Sequence, residues 1–255
     1  PTMFSAMLAS SEFNGKPIKS LRTGIMAGSQ CPEVLMRRVL YDLGCSEITI
    51  AYGMTETSPI SFQSDVNDPV DVRVSTVGRI QPHCEVKIVE DDGSTCAVGQ
   101  TGELWTKGYL VMKGYWNDAE ATQSSIENGW MKTGDLATID NEGFCRIVGR
   151  KKDMVIRGGE NIYPAELEEF LTDQKGILEA HVFGIPDEKF GEQLVAWIIA
   201  EEGITLDETT IQNLCKNALA YYKVPAIVRF VEEVPLTATG KPQKFKMREI
   251  MLNET

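Results

Sequence analysis

Lys241 closes the segment Pro235-Leu236-Thr237-Ala238-Thr239-Gly240-Lys241, a run of small and turn-forming residues that carries one cation near the end of the chain. A lysine on such a loop can bring a point charge to a carboxylate and a phosphate as charge builds between them. Thr55, Glu56 and Thr57 form a second group. Thr hydroxyls can hydrogen-bond a phosphate and a Glu can hold Mg²⁺, although the same residues also suit a turn or a helix cap. Asp135, after Gly134 in Trp130-Met131-Lys132-Thr133-Gly134-Asp135, could accept from two neighbouring hydroxyls such as a ribose offers, or could serve an Asp turn. Gly149-Arg150-Lys151-Lys152-Asp153 could bind an anion or act as a solvated linker. The pair Gly158-Gly159 permits close approach of a backbone or slim ligand, and equally marks a plain turn. Lys244, Lys246 and Arg248 read as a solvated face.

The elements that must position these residues follow from periodicity and punctuation. Residues 30–43 read as a helix with Leu35, Val39, Leu40 and Leu43 on one face and Pro32-Glu33 in the first turn. Glu47-Ile48-Thr49-Ile50-Ala51 reads as a short buried strand that runs into the loop Tyr52-Gly53-Met54-Thr55-Glu56-Thr57. The carboxyl end of a buried strand is where open α/β sheets bind ligands. From 75 to 150, short β-like pieces alternate with Gly turns, which predicts hairpins and a small barrel or bent sheet. Beyond 153 the pattern is a helix from Pro164, strands at 178–185 and 194–200, a helix over 207–220 and a strand at 226–231: a compact α+β unit of ordinary domain size.

Bulk properties bound the function. With 25 basic and 37 acidic residues the net charge is −12, which argues against a nucleic-acid partner. A hydrophobic content of 42% predicts a packed core rather than disorder. The six cysteines at 31, 45, 84, 96, 145 and 215 form no C-x-x-C pair and fit no zinc spacing. They suggest a reducing, cytoplasmic setting in which most serve as small core residues. His83 and His181 are too few for a histidine-based site and read as structural. No run approaches the ~18 apolar residues of a membrane span, and Pro1-Thr2-Met3-Phe4 carries no signal pattern.

Each motif alone is modest, but their order is not. Tyr52-Gly53-Met54-Thr55-Glu56, Gly102-Glu103-Leu104, Thr133-Gly134-Asp135, Gly149-Arg150-Lys151-Lys152-Asp153, Gly158-Gly159-Glu160-Asn161-Ile162-Tyr163-Pro164-Ala165-Glu166 and Pro235 to Lys241 together resemble the AMP-forming acyl-CoA synthetases of the adenylate-forming superfamily. The resemblance runs over essentially the whole chain and looks closest to medium- or long-chain fatty-acyl-CoA synthetases. It implies an α/β fold. Residues 1–150 would end the large AMP-binding domain as a strand-helix unit plus a small β-barrel-like subdomain. Residues 151–255 would form a small mobile α+β C-terminal domain, with a hinge near Lys152.

The resemblance also implies ATP, Mg²⁺ and CoA, a small carboxylic acid, and two half-reactions through acyl-AMP. On that likeness Gly28 and Ser29 border adenine, and Tyr52, Gly53, Met54 and Thr55 form the nucleotide loop with Thr55 at the α-phosphate. Glu56 helps hold Mg²⁺, and Asp135 and Arg150 hold the ribose. Gly158 and Gly159 line the path of the CoA arm, and Lys241 is the adenylation lysine. The family's Ser/Thr/Gly-rich phosphate loop ending in Pro-Lys-Gly and its gate segment are absent from the 255 residues. The chain is therefore expected to be a C-terminal part of the enzyme, unable to make acyl-CoA alone. Two other readings are an adenylation domain that loads a carrier protein and a non-catalytic nucleotide-binding module. Retention of Glu56, Asp135 and Lys241 argues against the second.

Overall fold

A computed structural model describes residues 1–237 and 240–254. The chain divides into two compact units, Pro1–Val148 and Gly149–Thr255.

The first unit opens with α1 (Thr2–Ala9), β1 (Thr23–Met26), α2 (Glu33–Tyr41) and β2 (Glu47–Tyr52). The second helix is shorter than its apolar pattern suggests. Pro32 is its N-cap, with extended ψ of 139°, and Gly44 at φ +79° turns the chain away after it. Met36 and Val39 face inward, while Glu33–Arg37 and Arg38–Asp42 ion pairs line the solvent side. Parallel β1 and β2 pair from Thr23↔Glu47 to Met26↔Ile50. Met26, Met36, Val39, Leu43, Cys45 and Ile48 make the core beside them. Then come β3 (Phe62–Gln63), α3 (Val70–Ser75) and β4 (Arg79–Ile80), which extend this sheet in the order β1-β2-β3-β4.

The remaining strands of the unit form the expected bent antiparallel sheet. They are β5 (Cys84–Val89), β6 (Gly102–Gly108), then after α4 (Ala119–Ser125) β7 (Ile126–Glu127), β8 (Trp130–Ile139) and β9 (Cys145–Arg150). The order is β5-β6-β8-β7, with β9 also on β8. Phe62, Ile88, Leu104, Ala137 and Cys145 pack as its core. No Cβ fits at Gly102, where it would lie 2.6 Å from the Val89 carbonyl oxygen and the Cys96 sulfur. That glycine lets β6 lie close under the β5 end.

The second unit contains β10 (Val155–Arg157), β11 (Glu160–Ile162), α5 (Pro164–Thr172), β12 (Ile177–Asp187), β13 (Gly191–Ala200), α6 (Glu208–Ala218), β14 (Ile227–Phe230) and α7 (Lys244–Asn253). Its sheet runs β11-β10-β13-β12, and β14 lies parallel to β13. Long β12 and β13 are buried on both faces, hence their near-continuous apolar runs. Leu167, Leu171, Val182, Leu194, Ile198, Ile211 and Cys215 fill one face with α5 and α6. Phe183, Ile185, Val195 and Trp197 pack with Met247 of α7 on another cluster. Here the structure corrects the reading of the basic residues near the chain end. Lys244 pairs with Glu168 at 2.7 Å and Arg248 with Glu192 at 3.2 Å, so these two cations fasten α7 rather than form a solvated face.

Candidate functional site

Because β1 and β2 are parallel, the turn at Ala27-Gly28-Ser29 and the loop at 53–57 leave the sheet at the same, carboxyl edge. Gly28 and Ser29 are exposed, and Gly28 turns the chain at φ +86°. The second loop doubles back sharply: a Cβ at Gly53 would sit 1.8 Å from the Pro59 carbonyl oxygen. Thr55–Glu56–Thr57 form one 3-10 turn. Thr57 Oγ1 accepts from the Met54 N–H at 3.1 Å and donates to the Met54 carbonyl at 3.2 Å, within the buried base of the turn. Thr57 is therefore the cap that sequence reasoning allowed for. Thr55 stays exposed and Glu56 half-buried.

Glu56 is held twice. Its backbone carbonyl accepts from the Met112 N–H at 2.9 Å, and its carboxylate Oε1 accepts from the Tyr115 hydroxyl at 2.8 Å. Tyr115 lies 59 residues away and was not singled out in the sequence. The nearest signal was Asp118, which caps α4 by accepting from the Ala121 N–H at 2.9 Å.

Asp135 owes its position to an irregularity in the ladder. Glu103 pairs with Leu136 and Trp105 with Lys132, so three residues of β8 face Leu104 alone. Gly134 takes φ +71° inside this bulge, and the Thr133 hydroxyl donates to the Leu104 carbonyl at 2.7 Å. The bulge turns Asp135 inward, where it is 8% exposed. Its Oδ2 accepts from the Tyr52 hydroxyl at 2.5 Å. Burial first, then the Asp135 charge and hydrogen bond, push the Tyr52 hydroxyl far above the usual phenol range, so it remains a donor. The structure thus joins the ends of two motifs 83 residues apart, Tyr52 and Asp135.

In the second unit, Arg150 ends β9 and Lys152 lies exposed in a one-turn 3-10 helix, Lys151–Asp153. Gly158 and Gly159 are the two central residues of the β10–β11 hairpin, at φ +60° and +90°. Two positive φ angles in a two-residue turn demand glycine-like residues, so the turn reading is correct for this pair. The turn tip is exposed all the same, and Gly158 N–H is tied to the Phe190 carbonyl at 2.8 Å. Arg157 braces the hairpin by donating to the carbonyls of Tyr222 at 2.8 Å and Val224 at 3.1 Å.

Lys241 is exposed, and its backbone closes a turn. Thr237 N–H donates to the Lys241 carbonyl at 2.8 Å, and Lys241 N–H to Thr237 Oγ1 at 3.0 Å. The Gln243 N–H reaches the Pro235 carbonyl at 2.8 Å, and α7 starts at the next residue. Ala238 and Thr239 of this motif lie outside the described residues.

A chain with a parallel pair whose two loops leave its carboxyl edge, a bulge-held aspartate and a lysine turn on a separate α+β unit matches known proteins. The family model described as AMP-binding enzyme matches residues 1–116, and that described as AMP-binding enzyme C-terminal domain matches 166–241. The chain belongs to this family of adenylate-forming AMP-binding enzymes.

A relative from Bacillus subtilis is 50% identical over 98% of this chain and 46% of its own length. Medium-chain acyl-CoA ligase ACSF2, mitochondrial, of Rattus norvegicus is 42% identical over 98% of this chain and 41% of its own. Among solved structures, ATP-bound MatB from Rhodopseudomonas palustris aligns with a TM-score of 0.90 at 32% identity, covering 98% of this chain and 49% of that one. The o-succinylbenzoate CoA synthetase MenE of Bacillus subtilis, in complex with the acyl-adenylate OSB-AMP, aligns at 0.85 and 33%, covering 97% and 49%. The chain thus spans about half the length of the relatives it matches. Among the described residues, no helix is long and apolar enough to cross a membrane.

Proposed function

We propose that the protein containing these 255 residues is an AMP-forming acid–thiol ligase that converts a carboxylic acid, by the likeness to the medium-chain ligases a fatty acid, to its acyl-CoA. In the first step the carboxylate oxygen attacks the α-phosphorus of ATP, and pyrophosphate leaves as the α–β bond breaks. In the second, the CoA sulfur attacks the acyl carbonyl and AMP leaves. The observation that carries this reading is the Tyr52–Asp135 hydrogen bond, in the same unit as the two loops leaving the carboxyl edge of β1 and β2.

Gly28 and Ser29 border the adenine in this proposal, and Tyr52, Gly53 and Met54 carry the loop that puts Thr55 at the α-phosphate. Asp135 and Arg150 hold the ribose hydroxyls. The first step joins two anions, so positive charge must meet it. Lys241 supplies part of that charge. Mg²⁺ fits the remainder: Glu56 offers a carboxylate, while among the described residues no three His, Cys, Asp or Glu side chains gather as a protein-only metal site. Mg²⁺ ordinarily binds through one or two carboxylates with phosphates and water completing the shell, and when bound here it would neutralise phosphate charge. Gly158 and Gly159, bare at a hairpin tip, leave room for the slim CoA arm. Movement about the Lys152 turn separates the steps, since Lys241 and the glycine hairpin share residues 149–255.

With no Ser/Thr/Gly-rich loop ending in Pro-Lys-Gly among its residues, the 255-residue chain is proposed not to complete the reaction alone. The full-length protein is therefore the one to test. Carboxylic acids of graded chain length should support exchange of labelled pyrophosphate into ATP, and CoA should then yield the thioester. Exchange absent with every acid would reject the proposal, and exchange with transfer only to a carrier protein would replace its second half.

A further inference from the structure

We infer that Tyr115 is a positioning residue that holds Glu56 as a one-oxygen ligand and so favours Mg²⁺ over larger divalent cations, an inference that rests on the role of Glu56 proposed above. The two residues come from separate parts of the first unit. Glu56 sits in the turn after β2, and Tyr115 in the loop between β6 and α4. Their contact, Tyr115 hydroxyl to Glu56 Oε1 at 2.8 Å, is backed by the Met112 N–H on the Glu56 carbonyl at 2.9 Å. The loop therefore fixes both the backbone and the head of this glutamate.

Tyr115 is itself held in place, though 37% exposed. Its N–H donates to Thr122 Oγ1 at 2.9 Å, and that hydroxyl donates to the Asp118 carbonyl at 2.7 Å. Gly114, at φ +153°, lets the chain lie on Thr122: a Cβ there would come within 2.8 Å of the threonine methyl. Asp118 then starts α4 through the Ala121 N–H at 2.9 Å. The backbone that carries this tyrosine is thus fastened to α4, and from it the hydroxyl reaches Glu56.

One Glu56 oxygen is thereby engaged, and among the described residues no other group bonds to the second. A carboxylate with one oxygen already accepting a hydrogen bond presents its other oxygen as the better cation ligand. Mg²⁺ demands near-octahedral geometry and suits such a ligand, whereas Ca²⁺ readily takes both oxygens of one carboxylate. Residues that hydrogen-bond a metal ligand orient it, and their loss commonly costs about tenfold or more in metal affinity.

The test is equilibrium binding of Mg²⁺ and of Ca²⁺ to the full-length protein with a non-hydrolysable ATP analogue, for the parent, Tyr115→Phe and Glu56→Gln. Phe keeps the ring and its packing. Tyr115→Phe is expected to weaken Mg²⁺ binding about tenfold and Ca²⁺ binding much less, so that the preference for Mg²⁺ falls. Unchanged Mg²⁺ binding in Tyr115→Phe, or equal loss for both ions, overturns the inference. Glu56→Gln separates the two levels: a loss there beside an unaffected Tyr115→Phe removes only the role of Tyr115. No loss in Glu56→Gln removes the metal role of Glu56 and this inference with it.

Discussion

Asp135 and Tyr52 meet by a hydrogen bond whose donor keeps its proton and whose acceptor is almost wholly buried. Charge-assisted bonds of this kind contribute about 1.5–3 kcal/mol. Asp135→Asn keeps the shape but removes the charge and one acceptor, so AMP binding to the full-length protein should weaken by about tenfold or more. Calorimetric titration measures it, and undiminished affinity would take the ribose role from Asp135. At this scale the sequence offered candidates, each modest alone, and said little about partners. Thr55, Glu56, Asp135 and Lys241 stood out as polar residues beside turns, because residue type and local punctuation are one-dimensional signals. The bonds Tyr52–Asp135 and Tyr115–Glu56 span 83 and 59 residues and depend on sheet register, which a single sequence does not print.

Glycine decides the shape of the loop after β2. The Gly53 backbone passes so close to Pro59 that any Cβ must displace main chain rather than a flexible side chain. Gly53→Ala is expected to destabilise the first unit by about 3 kcal/mol, the upper range for overpacking. Urea unfolding would show it, and a cost under about 0.5 kcal/mol, the scale of ordinary surface changes, would mean that the loop does not lie on Pro59. Elements with strong periodicity were legible: β2, α5, β12, β13 and α6 fall close to where apolar spacing and caps put them, and α2 falls inside its expected span but ends shorter. Two were not. The four residues of β1 include Gly24, whose Cβ would lie 2.9 Å from the Ile48 side chain, so the strand exists through its fit on β2 rather than through propensity. In α7 three cations mask the buried Met247, and only the carboxylates of Glu168 and Glu192 in the folded unit make sense of two of them.

For the whole molecule, the shift from a strand-helix unit to a bent, hairpin-built sheet to an α+β unit was legible as changes of texture, since turn spacing and apolar period are local, whereas the mixed pairing of the first sheet was not. The family resemblance added the order of motifs, and the matches over 1–116 and 166–241 establish the family. The central claim is that the two units divide the chemistry, with Lys241 serving the first step. The direct measurement is to compare, in the full-length protein with Lys241→Ala, the rate of acyl-AMP formation from acid and ATP with the rate of acyl-CoA formation from supplied acyl-AMP and CoA. The account predicts a loss of about a hundredfold or more in the first, the order expected when one charge-stabilising group is removed, with the second nearly unchanged. Equal losses in both steps would contradict it.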